Sequence, residues 1–394
     1  MKPTGIRAIK VLNSLARPTI AVRVKTSMCE GWGSAPSGTS KSSFEAVEFI
    51  QNADLSIELF NNYAKKLIDF NFQNFDDFEE VEKIINVGNA GGSAVIALEY
   101  AMLNALAQER KRPLWKVLNP NAKAFPRILA NVVGGGQHAT NSIDIQEILV
   151  APKAKSISEA VFTASEIYHK IRFELAKKDK HFLSGRTAEG AWTTSLPDET
   201  ALEIVDRIAG RHKSEIGIDM AATSLFVRGK YLWRNFSRQQ KGIHADEKKH
   251  IELMEQISNR FHLFYIEDPL HQDSYKAFSD FNKASNKYSR KLVCGDDLIS
   301  TNLSRLKVAV EQNSINAVII KPNQIGSLFK AKQVLDYAKK KDIIPVLSHR
   351  SGETNDSILA QLAFGWQAPF VKFGLAGGER TAKLNELIKI EQNL

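Results

Sequence analysis

Six polar residues, each at or beside the end of a short apolar run, define one chemistry in the second half of the chain. Asp219, Glu267, Asp296, Lys321, His349 and Lys372 go with the runs 216–220, 263–266, 292–294, 317–320, 343–347 and 370–371. Three carboxylates brought close together cannot all ionise cheaply unless a cation joins them. An all-oxygen ligand set selects a hard ion, Mg²⁺ in preference to zinc. A lysine beside such an ion has its charged form disfavoured, so Lys321, emerging from an apolar run, is placed to be a neutral base. Together these groups could remove a proton alpha to a carboxylate and hold the resulting enolate on the metal. His349, Arg350 and Ser351 are consecutive, and arginine beside a hydroxyl suits a phosphate. Any one of these residues alone reads as a loop cap, a salt bridge or a snorkelling lysine. The case rests on the set.

The elements that must position the set follow from its spacing. Successive members are 48, 29, 25, 28 and 23 residues apart, and all intervals after the first suit one strand plus one helix. Repeated βα units predict a parallel sheet. Closed into a barrel, that sheet would gather the C-terminal strand ends at one mouth; a doubly wound open sheet is the alternative. The chain before about residue 122 reads differently. It has extended stretches at 6–12 and 19–26, helical periodicity at 45–60 and 95–108, and glycine-rich loops at 31–38 and 88–92. Pro113 and Asn119-Pro120-Asn121 mark the boundary. The expected organisation is therefore α/β, with a small α+β domain over 1–122 and a larger domain over 123–394.

The 394 residues are 43% hydrophobic and 25% charged, an ordinary globular balance. No apolar run approaches the roughly 20 residues that span a bilayer, and the N-terminus lacks a secretory apolar segment. With only Cys29 and Cys294, neither a disulfide framework nor a cysteine metal site is suggested, and the cytoplasm is the expected compartment. The net charge of +9 could attract an anionic partner. Its lysine groups, 177–178, 248–249 and 339–341, lack interleaved aromatics and read as solvated helix faces, not a nucleic-acid site. Gly33 and Gly38 have P-loop spacing, but Thr39 stands where lysine is required. Gly134-Gly135-Gly136 lacks the dinucleotide pattern, and neither a Gly-x-Ser-x-Gly elbow nor a His-Glu-x-x-His helix occurs.

Several longer motifs resemble the enolase family. They are Ile266-Glu267-Asp268-Pro269, Gly295-Asp296-Asp297-Leu298, the run from Ile320-Lys321-Pro322 to Gly326, and Ser348-His349-Arg350-Ser351-Gly352-Glu353-Thr354, in the family's order. Upstream, Pro36-Ser37-Gly38-Thr39-Ser40 resembles its mobile substrate loop, Gly135-Gly136-Gln137-His138-Ala139 its histidine loop, and Gln146-Glu147 the segment just after. The resemblance implies an N-terminal α+β capping domain and a C-terminal modified TIM barrel whose first strands leave the regular βα order. It implies a Mg²⁺-dependent lyase interconverting 2-phosphoglycerate and phosphoenolpyruvate in glycolysis and gluconeogenesis. Asp219, Glu267 and Asp296 would hold one Mg²⁺, and Ser40 a second that arrives with substrate. Lys321 would be the base, and Glu189 with Glu147 the acid. Arg350 and Ser351 would grip the phosphate, Ser40 and Lys372 would also bind substrate, and His138 and His349 would close over it. A homodimer or assembly of dimers is implied, with no membrane or nucleic-acid partner.

Four departures from the family pattern stand near these residues. The opening turn reads Asn13-Ser14-Leu15-Ala16-Arg17-Pro18-Thr19, without an arginine and a glycine tied to subunit contacts. Lys41-Ser42 replaces the usual Thr-Gly of the substrate loop. Thr187-Ala188-Glu189-Gly190-Ala191 keeps the acid but loses its carboxylate neighbour, which should alter its pKa. Phe373 follows Lys372, and the segment to Glu379-Arg380 is shortened. These changes motivate a second reading, the same enolate chemistry on another phosphorylated or phosphonate substrate. A third is a binding or scaffold protein without turnover.

Overall fold

The computed structural model describes residues 1–39, 42–236, 242–287 and 289–394. An antiparallel sheet opens the chain, with strands Gly5–Leu12, Pro18–Lys25 and Glu30–Ser34 in that order. Helix Gly92–Glu109 packs across it, buried on almost every side. The 31–38 segment, expected to be a loop, thus contains a strand. Gly31 and Gly33 permit it: a Cβ at Gly31 would lie 2.2 Å from the Ala101 carbonyl oxygen, and one at Gly33 2.5 Å from the Ala101 nitrogen. The glycines there serve a close backbone approach, not a turn.

The expected helix over 45–60 begins later, at Ala53, behind an Asn52 cap whose side chain accepts from the Leu55 N–H. Residues 46–48 spend their backbone groups elsewhere. Ala46 donates to the Gln324 carbonyl, and the Val47 and Glu48 carbonyls accept from Gly92 and Ser93. The expected loop at 88–92 holds a short helix, Val87–Ala90, that ends at Gly91 with φ of 82°.

The second sheet closes into a barrel. Its order is Arg127–Ile128, Phe370–Lys372, Ile344–Ser348, Ala317–Ile320, Leu292–Gly295, Tyr265–Glu267, Ser214–Asp219, Glu147–Pro152 and Ala130–Gly134. The first and last of these are nearly continuous in sequence and seal the ring. Glu147–Pro152 runs antiparallel to both of its neighbours, and the other pairings around the ring are parallel. The barrel is therefore of the modified type, not the doubly wound alternative. Its interior is filled by Leu129, Leu149, Tyr265, Leu292, Ile319 and Val346, among others. Of the lysines read as solvated, Lys339 turns inward and donates to the Trp366 carbonyl at 2.6 Å. Among the described residues no helix is long and apolar enough to cross a membrane.

Candidate active site

Strand register brings the acidic residues together. Asp219 pairs with Glu267 on one side and with Glu147 on the other. Because the Glu147–Pro152 strand runs backwards, its first residue lies at the same mouth as the last residues of the parallel strands. Lys372, 2% exposed, sits among the three. Its ammonium donates to Asp219 Oδ2 and to both Glu267 oxygens at 2.9 Å, and lies 3.2 Å from Glu147 Oε1. Burial opposes the lysine's charge, but these carboxylates outweigh it and hold its pKa well above the ordinary value. Burial, with Asp219 adding to it, still pushes Glu267 up to about 8. The Tyr265 hydroxyl donates to Glu267 Oε2 at 2.6 Å, and Gln146 to Asp219 at 3.3 Å.

Lys321 donates to Asp296, whose other oxygen accepts from Gln324 at 3.0 Å. Burial alone would lower the Lys321 pKa, yet the adjacent Asp296 charge holds it above that of an ordinary lysine. The expectation of a neutral Lys321 is thus not met without a cation to take Asp296. The three expected metal ligands are shared out between two ammonium groups. Among the described residues, the donor triads within 4.8 Å of one another are Asp268, Asp296 and Asp297, and His138, Glu147 and Glu189.

Glu189 lies 3.7 Å from His138 Nε2 and 3.4 Å from His349 Nε2. Burial disfavours its charge, but the two histidines outweigh that and hold the carboxyl well below its usual range. Burial pushes His349 itself down to about 4, so at neutral pH it meets Glu189 as a polar neighbour, not as a full cation. At Glu147 burial and the Glu189 charge act together and raise the pKa well above normal. The two neighbouring carboxyls are thus pushed in opposite directions.

On the opposite wall Arg350 donates to both Glu45 oxygens at 3.0 Å and to Asn323 at 3.1 Å. The Ser351 hydroxyl accepts from the Thr39 N–H at 2.9 Å. A cavity of about 300 Å³ opens between these walls, lined by Glu147, Glu189, Asp219, Lys321, Arg350 and Ser351 among others. Residues 122–394 match the family model for the enolase C-terminal TIM barrel domain, and residues 4–118 that for the enolase N-terminal domain. The chain belongs to the enolase family.

Curated relatives agree along the whole length. The enolase of Methanothermobacter thermautotrophicus is 35% identical, with 99% of this chain and 96% of the relative covered. That of Natronomonas pharaonis is 34% identical, with 99% of each covered, and that of Thermoplasma acidophilum 35% identical, with 99% and 98% covered. Membership makes the chain a lyase of the phosphopyruvate hydratase type.

Within this enolase fold, Glu267, His349 and Lys372 lie beneath the cavity wall, and Ser40 and Lys41 fall outside the described residues. Phe373 points away from the mouth. Strand alternation turns it into the layer between sheet and helices, where it is 1% exposed. Ala188 uses its carbonyl to accept from Arg380 at 3.0 Å. The altered opening turn contacts the site in its own chain: Asn13 donates to Ser37 at 2.6 Å, and Ser14 to the Ser351 carbonyl at 3.2 Å. Glu45, Gln146, Tyr265, Asp268, Asp297 and Gln324 escaped the sequence reading as site residues. Asp268 and Asp297 were visible as second acids inside the quoted motifs. Glu45 had no local signal, since its partner lies 305 residues away.

Proposed function

We propose that this enolase-family chain is a Mg²⁺-dependent enzyme that interconverts 2-phosphoglycerate and phosphoenolpyruvate. The observation that carries the reading is the convergence on one small cavity of a lysine, a coupled carboxyl pair and an arginine-serine pair. In this reading Lys321 Nζ takes the C2 proton. The Glu189 and Glu147 pair returns a proton to the C3 hydroxyl, which leaves as water. Arg350 and Ser351 bind the phosphate, and Lys372 the substrate carboxylate. His138 and His349 flank the acid and exclude water from it. Glu45 already engages Arg350, so phosphate must share or displace that contact.

The donor set fits a hard cation. Four acids, Glu147, Asp219, Glu267 and Asp296, share two ammonium groups, Lys372 and Lys321, and burial, with neighbouring carboxylates adding to it, raises Glu267 and Glu147. Glu147 Oε2 and Gln146 Oε1 are buried without a partner. Asp219, Glu267 and Asp296 would hold the first ion, and Ser40 the second. When bound there, Mg²⁺ would supply positive charge to the substrate carboxylate, and Asp296, as one of its ligands, would no longer be the partner of Lys321.

The substrate-shift reading loses the support of Phe373, whose ring is buried between sheet and helices. In the test, purified protein receives 2-phosphoglycerate with Mg²⁺, and absorbance at the phosphoenolpyruvate band is followed. Robust formation that stops on adding excess chelator is expected. No formation by folded, Mg²⁺-binding protein would redirect the assignment to another phosphorylated substrate. We also infer a cytoplasmic homodimer or assembly of dimers, as in the family. Exposed Phe162 and Phe173 on helix Ile157–Lys178 supply apolar surface in support. Light scattering should give an even multiple of the 44.0 kDa chain, and a 44.0 kDa particle would refute it.

A further inference from the structure

We propose that Tyr265 is a positioning residue that fixes the Glu267 carboxylate for the divalent cation. The proposal rests on the metal reading above. Tyr265 precedes Glu267 by two residues on one strand, so both side chains point to the same face of the sheet. That face is the barrel interior, where Tyr265 packs with Leu129, Leu149, Leu292 and Ile319. The ring is fully buried.

A phenol in such a core needs a partner, since a buried hydroxyl without one loses its hydration for nothing. Besides a side-chain contact with Cys294, the hydroxyl bonds Glu267 Oε2 at 2.6 Å, the short distance of a hydrogen bond to a carboxylate. The contact also breaks the symmetry of that carboxylate. Lys372 reaches both oxygens at 2.9 Å, whereas Tyr265 bonds Oε2 alone and so limits rotation of the group.

The neighbouring strand is shaped to admit the ring. Gly217 is the register partner of Tyr265, and a Cβ there would lie 2.8 Å from both the Tyr265 Cβ and its carbonyl oxygen. A glycine on one strand and a tyrosine on the next together place a donor under a ligand. Outer-shell donors of this kind orient ligating groups, and their loss commonly weakens metal binding about 10- to 100-fold.

The test titrates Mg²⁺ alone into the full chain and into Tyr265→Phe by calorimetry. The variant is expected to bind about 10- to 100-fold more weakly. Its metal-free melting temperature should stay close to that of wild type, because the ring remains, and its turnover should recover as Mg²⁺ is raised. Binding within twofold of wild type would overturn the proposal. No Mg²⁺ binding by wild type would overturn the metal reading and this inference with it. If the variant does not fold, the wild-type chain labelled at tyrosine Cζ carries the test. Saturating Mg²⁺ is expected to shift the Tyr265 resonance, and an unmoved resonance would refute the role.

Discussion

Lys321→Ala is expected to lower kcat by about 10²- to 10⁴-fold, the usual contribution of a positioned base, while leaving KM much less affected. Lys321 lines the cavity and emerges from the Ala317–Ile320 strand, every residue of which is buried. Its backbone N–H bonds Thr301, whose hydroxyl bonds Gln324, which bonds Asp296. The lysine is thus held against its partner acid by a closed polar circuit, not left to swing on a flexible stem. Steady-state kinetics at saturating Mg²⁺, with melting temperature as a control, checks the effect. Turnover within tenfold of wild type in a folded variant would remove Lys321 as the base.

Lys372→Met should act on stability as well as on turnover. The change leaves Asp219, Glu267 and Glu147 buried around an apolar side chain, and breaking a buried pair from one side typically costs about 3 to 5 kcal/mol. At an unfolding entropy of about 2.1 cal/mol/K per residue, that lowers the melting temperature by about 4 to 6 °C. The deficit should grow with pH. A carboxyl whose folded pKa is raised costs stability as pH rises from its unfolded value to its folded one, and the cost is constant above that. Removing Lys372 raises the folded value further, so variant and wild type part as pH passes the wild-type value. Glu267 already sits at about 8 with the lysine present, so the gap between variant and wild type should be wider at pH 9 than at pH 6. Added Mg²⁺ should narrow it. Melting curves at the two pH values test this, and a gap independent of pH would mean that the acids do not depend on Lys372 for their charge.

The barrel was legible because its parallel strands are buried on both faces and appear as unbroken apolar runs, as at Ala317–Ile320. The strand ends then followed from spacing alone. Glu147 was beyond that logic. It starts a strand where the others finish theirs, and its place at the mouth follows from antiparallel pairing, which no local pattern announces. Glu30–Ser34 was misread for the opposite reason, since glycines there signal intimacy with a helix and not a loop. The electrostatics were hidden too. The two histidines that lower Glu189 come from distant segments.

The close seat of Glu30–Ser34 against helix Gly92–Glu109 bears on where the chain that follows leaves the sheet. Three residues after that strand, Ser37 exchanges backbone bonds with Gly352 at 2.8 Å, beside Arg350 and Ser351. The helix thus works as an anvil that sets the height at which that chain leaves the sheet. A methyl group at Gly31 or Gly33 would push the strand off that helix, and with it the start of the segment that carries Ser37. These two glycines are gauge blocks that set the strand's height.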